Sequence, residues 1–96
     1  MGVADHIRTK RGEILKIATG FGARNVRVFG SVARGDAGPG SDVDLLVDFE
    51  PGRSLMDHAA LLVALEDLLG RKFDVVSERT LRPYLRERIL REALPI

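Results

Sequence analysis

The segment from Gly30 to Gly40 constrains the fold of this chain more than any other, because five of its eleven residues are glycine or proline. That density ends regular structure and predicts a loop, with one turn of helix at residues 31–34. Short stretches on either side, 25–29 and 42–49, are β-branched or alternate apolar and polar residues. Both stretches predict strands. The centre of the chain is therefore a strand, a glycine-rich loop and a second strand.

Amphipathic segments flank these two strands. Apolar residues at helical spacing predict a helix over residues 3–19, which Gly20 and Gly22 bring to an end. A capping box at residues 54–57 opens a second predicted helix, which runs from Leu55 to Leu69 and stops at Gly70. The element order in this part of the chain is therefore helix, strand, loop, strand, helix.

The last quarter of the chain adds one strand and one helix. Residues 72–76 read as a strand, and residues 81–93 read as a helix with Pro83 in its first turn. The predicted inward side chains of this last helix are Leu81, Tyr84, Leu85 and Ile89. The order α–β–turn–β–α–β–α, without repeat or linker, predicts a single domain over residues 1–96 of the α/β (α+β) class.

Composition excludes several classes of function. The 15 basic and 14 acidic residues leave a net charge of +1, so nucleic acid and anionic membrane are not expected as direct ligands. Without cysteine, the chain has no disulfide, thiolate metal site or cysteine nucleophile. No apolar run is long enough for a signal peptide or a membrane span. The expected location is the cytoplasm.

Three aspartates form the first candidate site. Asp42 and Asp44 lie two residues apart on a predicted strand, so their side chains share a face with Cα atoms roughly 6.6–7 Å apart. Asp74 would join them if its strand lies alongside. Three unpaired carboxylates repel one another, and a hard cation such as Mg²⁺ relieves that repulsion. The alternative is two exposed acids on an edge strand.

Gly30 and Ser31 form the second candidate site. A glycine at a strand end lets a phosphate approach the backbone, and the serine adds a hydroxyl. Taken alone, this dipeptide is far more often a simple turn. Arg34 could reach a triphosphate or be a solvated loop residue, and Ser41 could touch a phosphate or cap its turn.

In combination these residues resemble a known family. Gly30-Ser31, ten intervening residues and Asp42-Val-Asp44 match the signature of the DNA-polymerase-β nucleotidyltransferase superfamily. Residues 30–47 look in particular like the minimal nucleotidyltransferase branch. The resemblance covers essentially the whole chain, including Phe73-Asp-Val-Val76 and the segment 82–93.

The resemblance implies a fold and a mechanism. The fold is the nucleotidyltransferase fold, a small mixed, twisted sheet flanked by helices. Asp42, Asp44 and Asp74 would hold two metal ions, Mg²⁺ by expectation, and Asp74 is the candidate general base. Gly30 and Ser31 would hold the β- and γ-phosphates of ATP, with Arg34 and Ser41 as further nucleotide-binding candidates. A hydroxyl would attack the α-phosphorus and release pyrophosphate.

The resemblance also suggests an acceptor. Minimal nucleotidyltransferases are often paired with a small helical HEPN-type toxin and act as antitoxins by adenylylating one of its tyrosines. Two alternatives stay open: a non-catalytic nucleotide-binding module that neutralises its helical partner by contact, and a small-molecule transferase of the aminoglycoside-modifying kind. The last helix carries a cationic face that is either solvated or able to dock an acidic surface, with Arg82, Arg86 and Arg88 as its candidate docking residues.

Overall fold

The computed structural model describes residues 2–96, which form a four-stranded mixed sheet with helices packed against it. The strands are Ala23–Phe29 (β1), Val43–Phe49 (β2), Phe73–Ser77 (β3) and Leu94–Pro95 (β4). Their order in the sheet is β3-β2-β1-β4. β1 runs antiparallel to both β2 and β4, whereas β2 and β3 are parallel. The predicted α/β class is confirmed, and the three predicted strands are present within two residues of their expected starts.

The helices connect these strands in the predicted order. They are Val3–Thr9 (α1), Arg11–Gly20 (α2), Gly30–Arg34 (α3), Leu55–Leu69 (α4) and Pro83–Glu92 (α5), with a 3₁₀ turn at Glu78–Thr80. α4 is the crossover between the parallel strands β2 and β3. Within residues 2–96, no helix has the length and apolar character needed to cross a membrane.

The first predicted helix is two helices, and the prediction of one continuous helix over 3–19 is wrong. α1 ends at Thr9 and α2 begins at Arg11, with Lys10 between them. The Thr9 hydroxyl donates a 2.9 Å hydrogen bond to the Asp5 carbonyl oxygen one turn earlier. A threonine that bonds backward in this way bends a helix. The bend leaves both Ile7 and Ile14 buried in the core.

The strand β2 lies at the centre of the core. Leu45 and Leu46 project to opposite faces of the sheet, and both are fully buried, so β2 is covered on both sides. α4 contributes Leu61, Leu65 and Leu69 to this core. These buried residues hold β2 firmly, and the first residues of β2 are the ones that position the candidate site.

The outer helix α5 packs less deeply than the sequence suggests. None of its residues is fully buried, and Tyr84 is 72% exposed, so its predicted inward position is wrong. Leu85 and Ile89 are half-buried. Tyr84 lies one residue before Leu85 and five before Ile89, about 100° and about 140° around the helix from them, so it does not share the side that they bury.

Candidate active site

The parallel pairing of β2 and β3 brings two of the candidate acids side by side. Asp44 lies in register with Asp74, and neighbouring strands are about 4.8 Å apart. β2 begins at Val43, so Asp42 lies immediately before the strand rather than on it. Asp42 is nevertheless two residues from Asp44, close enough for its charge to raise the Asp44 pKa. The three carboxylates therefore lie together at one end of the sheet.

The glycine of the Gly-Ser pair lies against this cluster. Phe29 pairs with Asp44 across β1 and β2, so Gly30 follows at the same end of the sheet. Gly30 has a φ of 72°, in the left-handed region, and a Cβ atom built on it would collide with Oδ2 of Asp44. Only glycine satisfies both conditions without strain. The two halves of the sequence motif therefore meet in space.

A cleft of about 340 Å³ opens over this junction. Gly30, Ser31, Arg34 and Asp44 line one side of it. α5 supplies the opposite wall with Leu85, Arg88, Ile89 and Glu92. Glu92 is not among the site residues predicted from the sequence, and Arg88 is predicted only as part of the docking face of the last helix. Their four-residue spacing, which places both on one side of a helix, is the signal that could have linked them.

Glu92 makes the shortest polar contacts in the cleft. Its Oε1 accepts a 2.5 Å hydrogen bond from the Gly30 amide and a 3.1 Å hydrogen bond from Nη1 of Arg34. The Glu92 side chain is 19% exposed. Arg34 also donates to Asp36 at 3.4 Å, and its pKa lies above its usual value because of Asp36 first and Glu92 second. Arg34 is therefore a cation held at the mouth of the cleft by two carboxylates.

Ser41 has a local structural role. Its Oγ accepts a 2.9 Å hydrogen bond from the Gly38 amide, and its own amide donates to the Gly38 carbonyl oxygen at 3.1 Å. These bonds close the turn that leads into Asp42, as the capping alternative predicts. Ser41 thus fixes the path of the loop that carries the first acid.

Asp44 has an unusual electrostatic environment. Burial is the main cause that raises its carboxyl pKa, followed by the charges of Asp74 and Asp42, while Arg34 opposes the shift. Among residues 2–96, no three or more His, Cys, Asp or Glu side chains are arranged so that together they could hold a metal ion. The donor set still fits Mg²⁺, because that ion uses one or two carboxylates and fills its other positions with water and phosphate oxygens.

This environment predicts a pH-dependent stability. The raised pKa means that the folded state favours protonated Asp44, so its contribution to stability is present at low pH and is lost as pH rises through that pKa. With EDTA present, Asp44→Asn should melt a few degrees above the wild type at about pH 8 and near it at about pH 4. Thermal melting across this range measures the difference. Asp67→Asn, at an exposed position of α4, should show no such trend, and an Asp44→Asn protein that melts lower at pH 8 would contradict the interpretation.

A larger cleft of about 570 Å³ lies at the opposite end of β2. Its lining includes Phe49, Arg53, His58 and Arg79, and it contains none of the predicted site residues. Arg53 is already paired with Glu50 at 3.0 Å. The smaller cleft is the stronger candidate because Asp44, Gly30 and Arg34 all line it.

Comparison with known proteins identifies the family to which this chain is similar. The family model for the nucleotidyltransferase domain matches residues 11–96. The protein adenylyltransferase MntA of Thermococcus cleftensis is 45% identical over 74 residues, which is 77% of this chain and 75% of the relative. The range matched by the family model, residues 11–96, includes the Gly-Ser pair and the three aspartates.

Solved structures share the same architecture. A structure described as a minimal nucleotidyltransferase is 56% identical and superposes with a TM-score of 0.89, covering 97% of this chain and 95% of that chain. The complex of a tri-AMPylated HEPN toxin of Shewanella oneidensis with an MNT antitoxin matches with a TM-score of 0.70. That match is 17% identical and covers 92% of this chain and 69% of the other, so it bears on the fold alone.

Proposed function

The chain belongs to the nucleotidyltransferase domain family, and from that membership we propose that it is a protein adenylyltransferase that moves AMP from ATP to a hydroxyl of a partner protein. The observation that carries the proposal is the meeting of Gly30 with the Asp44–Asp74 pair at one end of the sheet. A backbone amide, a nearby cation and clustered carboxylates are the groups that nucleotidyl transfer requires.

Donor binding is assigned to the cleft between α3 and α5. The Gly30 amide and the Ser31 hydroxyl would bind the β- and γ-phosphate oxygens, and the Arg34 guanidinium would neutralise their charge. Ser41 contributes by holding the loop that ends at Asp42. This assignment leaves the α-phosphorus next to the carboxylates.

We assign two tasks to the carboxylates, which are binding of the metal ions and acceptance of the proton of the acceptor hydroxyl. Asp42, Asp44 and Asp74 would hold two Mg²⁺ ions. These ions would neutralise negative charge at the α-phosphate and on the leaving pyrophosphate. Asp74, which is exposed, would accept the proton of the incoming hydroxyl. The acceptor oxygen forms a bond to the α-phosphorus as the bond to the β-phosphate oxygen breaks, and pyrophosphate leaves with the electron pair.

The size of the cleft favours a protein as acceptor. At about 340 Å³ it lies at the lower end of the range for small-ligand sites, so the nucleotide leaves little room for a second small molecule. A hydroxyl presented from outside by a docked protein needs no cavity in this chain. The HEPN toxin named in the Shewanella complex suggests the kind of partner, a small helical HEPN-type toxin in the same cytoplasm, with this chain as the antitoxin.

The direct test is to incubate the protein with ATP, Mg²⁺ and a candidate HEPN-type partner protein. Intact-mass spectrometry should show adenylate added to the partner and none added to this chain, because the site supplies donor and metal groups but no acceptor hydroxyl. Addition should fail with EDTA in place of Mg²⁺.

The other outcomes identify the alternatives. A partner that is inhibited but carries no adenylate would support the non-catalytic binding module and refute the transferase. Transfer to an added aminoglycoside, with the partner protein unmodified, would support the small-molecule enzyme instead. Mixing the partner with Arg82→Glu protein tests docking through the cationic face of α5, since the Arg82 side chain is exposed and does not line the cleft.

A further inference from the structure

The last turn of α5 carries a carboxylate that reaches into the proposed phosphate site. Glu92 lies 62 residues from Gly30 in sequence, yet its Oε1 accepts the Gly30 amide hydrogen bond at 2.5 Å. The same oxygen lies 3.1 Å from Nη1 of Arg34. Both contacts use the groups to which we assign the phosphates of ATP.

A carboxylate and a phosphate compete for such groups. Each presents anionic oxygen acceptors. An N–H group that already donates a short hydrogen bond to one anion is not free to donate to another. Glu92 also adds a fourth negative charge beside Asp42, Asp44 and Asp74, which further opposes entry of a triphosphate. Its contacts therefore block the site by occupancy and by charge.

The fold provides a second position for this side chain. β4 follows α5 after one residue and pairs with β1, so the backbone at Glu92 is anchored. Arg88 lies four residues earlier and lines the same cleft. Residues four apart are neighbours on the surface of a helix. By rotating its side chain, Glu92 can therefore leave the Gly30 amide and pair with the Arg88 guanidinium instead. No movement of the helix is needed.

We propose that Glu92 is an internal competitor for the phosphate site, which occupies the Gly30 amide in the nucleotide-free protein and is displaced when nucleotide binds. The inference rests on the proposed function, because it takes the Gly30 amide and Arg34 as phosphate-binding groups. It adds that the affinity for nucleotide is set by a residue of the last helix, which the Gly-Ser and Asp-x-Asp motifs do not contain.

The test is calorimetric titration of the non-hydrolysable analogue AMP-PNP, with Mg²⁺, into wild type and Glu92→Gln. The amide side chain keeps the shape of glutamate and removes its charge, so it competes less well. We expect about tenfold tighter binding by Glu92→Gln, the order of effect that a hydrogen bond to a charged group contributes. Glu87→Gln is the matched control, because Glu87 lies on α5, pairs with Arg91 at 2.8 Å and does not line the cleft. Its affinity for AMP-PNP should equal that of the wild type.

A second measurement reports on the contact itself. The Gly30 amide proton should shift upfield in the NMR spectrum of Glu92→Gln, and AMP-PNP should move the same resonance in both proteins. Equal or weaker nucleotide binding by a folded Glu92→Gln would overturn the inference and indicate that Glu92 positions Arg34 for the phosphates. Absence of nucleotide binding in all three proteins would instead refute the proposed function together with this inference.

Discussion

Asp44→Asn and Asp42→Asn are each expected to abolish adenylyl transfer, a loss of at least about 10³-fold. Asparagine keeps the size of the side chain and one acceptor oxygen but removes the charge that would bind a divalent cation. Asp44 is half-buried in register with Asp74 and close to Asp42, so its charge is part of the proposed metal-binding set. Initial rates of label transfer from α-labelled ATP to the partner protein measure the loss.

The fold must survive for this result to be informative. Burial and neighbouring charges already disfavour ionised Asp44, so removing its charge should not unfold the metal-free protein. Asp67→Asn removes an equal charge from the exposed side of α4 and should keep full activity. Transfer at a comparable rate by either site variant would exclude the assignment of the acids to metal binding.

Gly30→Ala is the second substitution with a large expected effect. Its φ of 72° costs a non-glycine residue about 1–2 kcal/mol, and its Cβ would also push Asp44 out of place. We expect a clear loss of stability, and a loss of transfer of about 100-fold because both the amide and the carboxylate move. Thermal melting and the labelled-ATP assay on the same samples report the two effects.

Two other glycines separate backbone strain from the collision. Gly35 has a φ of 81° with open space around its Cβ position, so Gly35→Ala carries the conformational cost alone. Gly12 lies in α2 with nothing nearby, and Gly12→Ala should stabilise the protein by roughly 0.5–1 kcal/mol. If Gly30→Ala and Gly35→Ala lost equal activity, the close approach of Gly30 to Asp44 would have no part in transfer.

The features that sequence predicts well are those fixed by neighbours in the chain. The capping box at residues 54–57 forms as expected, with Ser54 and Asp57 bonding reciprocally, and α4 ends at the left-handed Gly70. Each depends on three or four consecutive residues, so the local pattern is sufficient. The same holds for the turn of helix after Gly30, which is α3.

The features that sequence does not predict depend on distant parts of the chain. The register that sets Asp44 beside Asp74 is decided by how α4 packs between β2 and β3, which no local pattern encodes. Glu92 resembles any charged residue near a helix end, and only the pairing of β4 with β1 brings it to Gly30. A helix predicted from Leu81 sets Tyr84 three residues after that leucine and on its side of the helix, whereas α5 begins only at Pro83 and Tyr84 is exposed.

The parallel pairing of β2 with β3 also affects how quickly the native state forms and is lost. Asp44 and Asp74 are separated by the whole of α4, so they meet only when the crossover closes and the last long strand docks. We expect this contact to form after the folding transition state, and such contacts change the rate of unfolding but hardly change the rate of folding. The repulsion between the two aspartates therefore shortens the lifetime of the metal-free native state without hindering its formation.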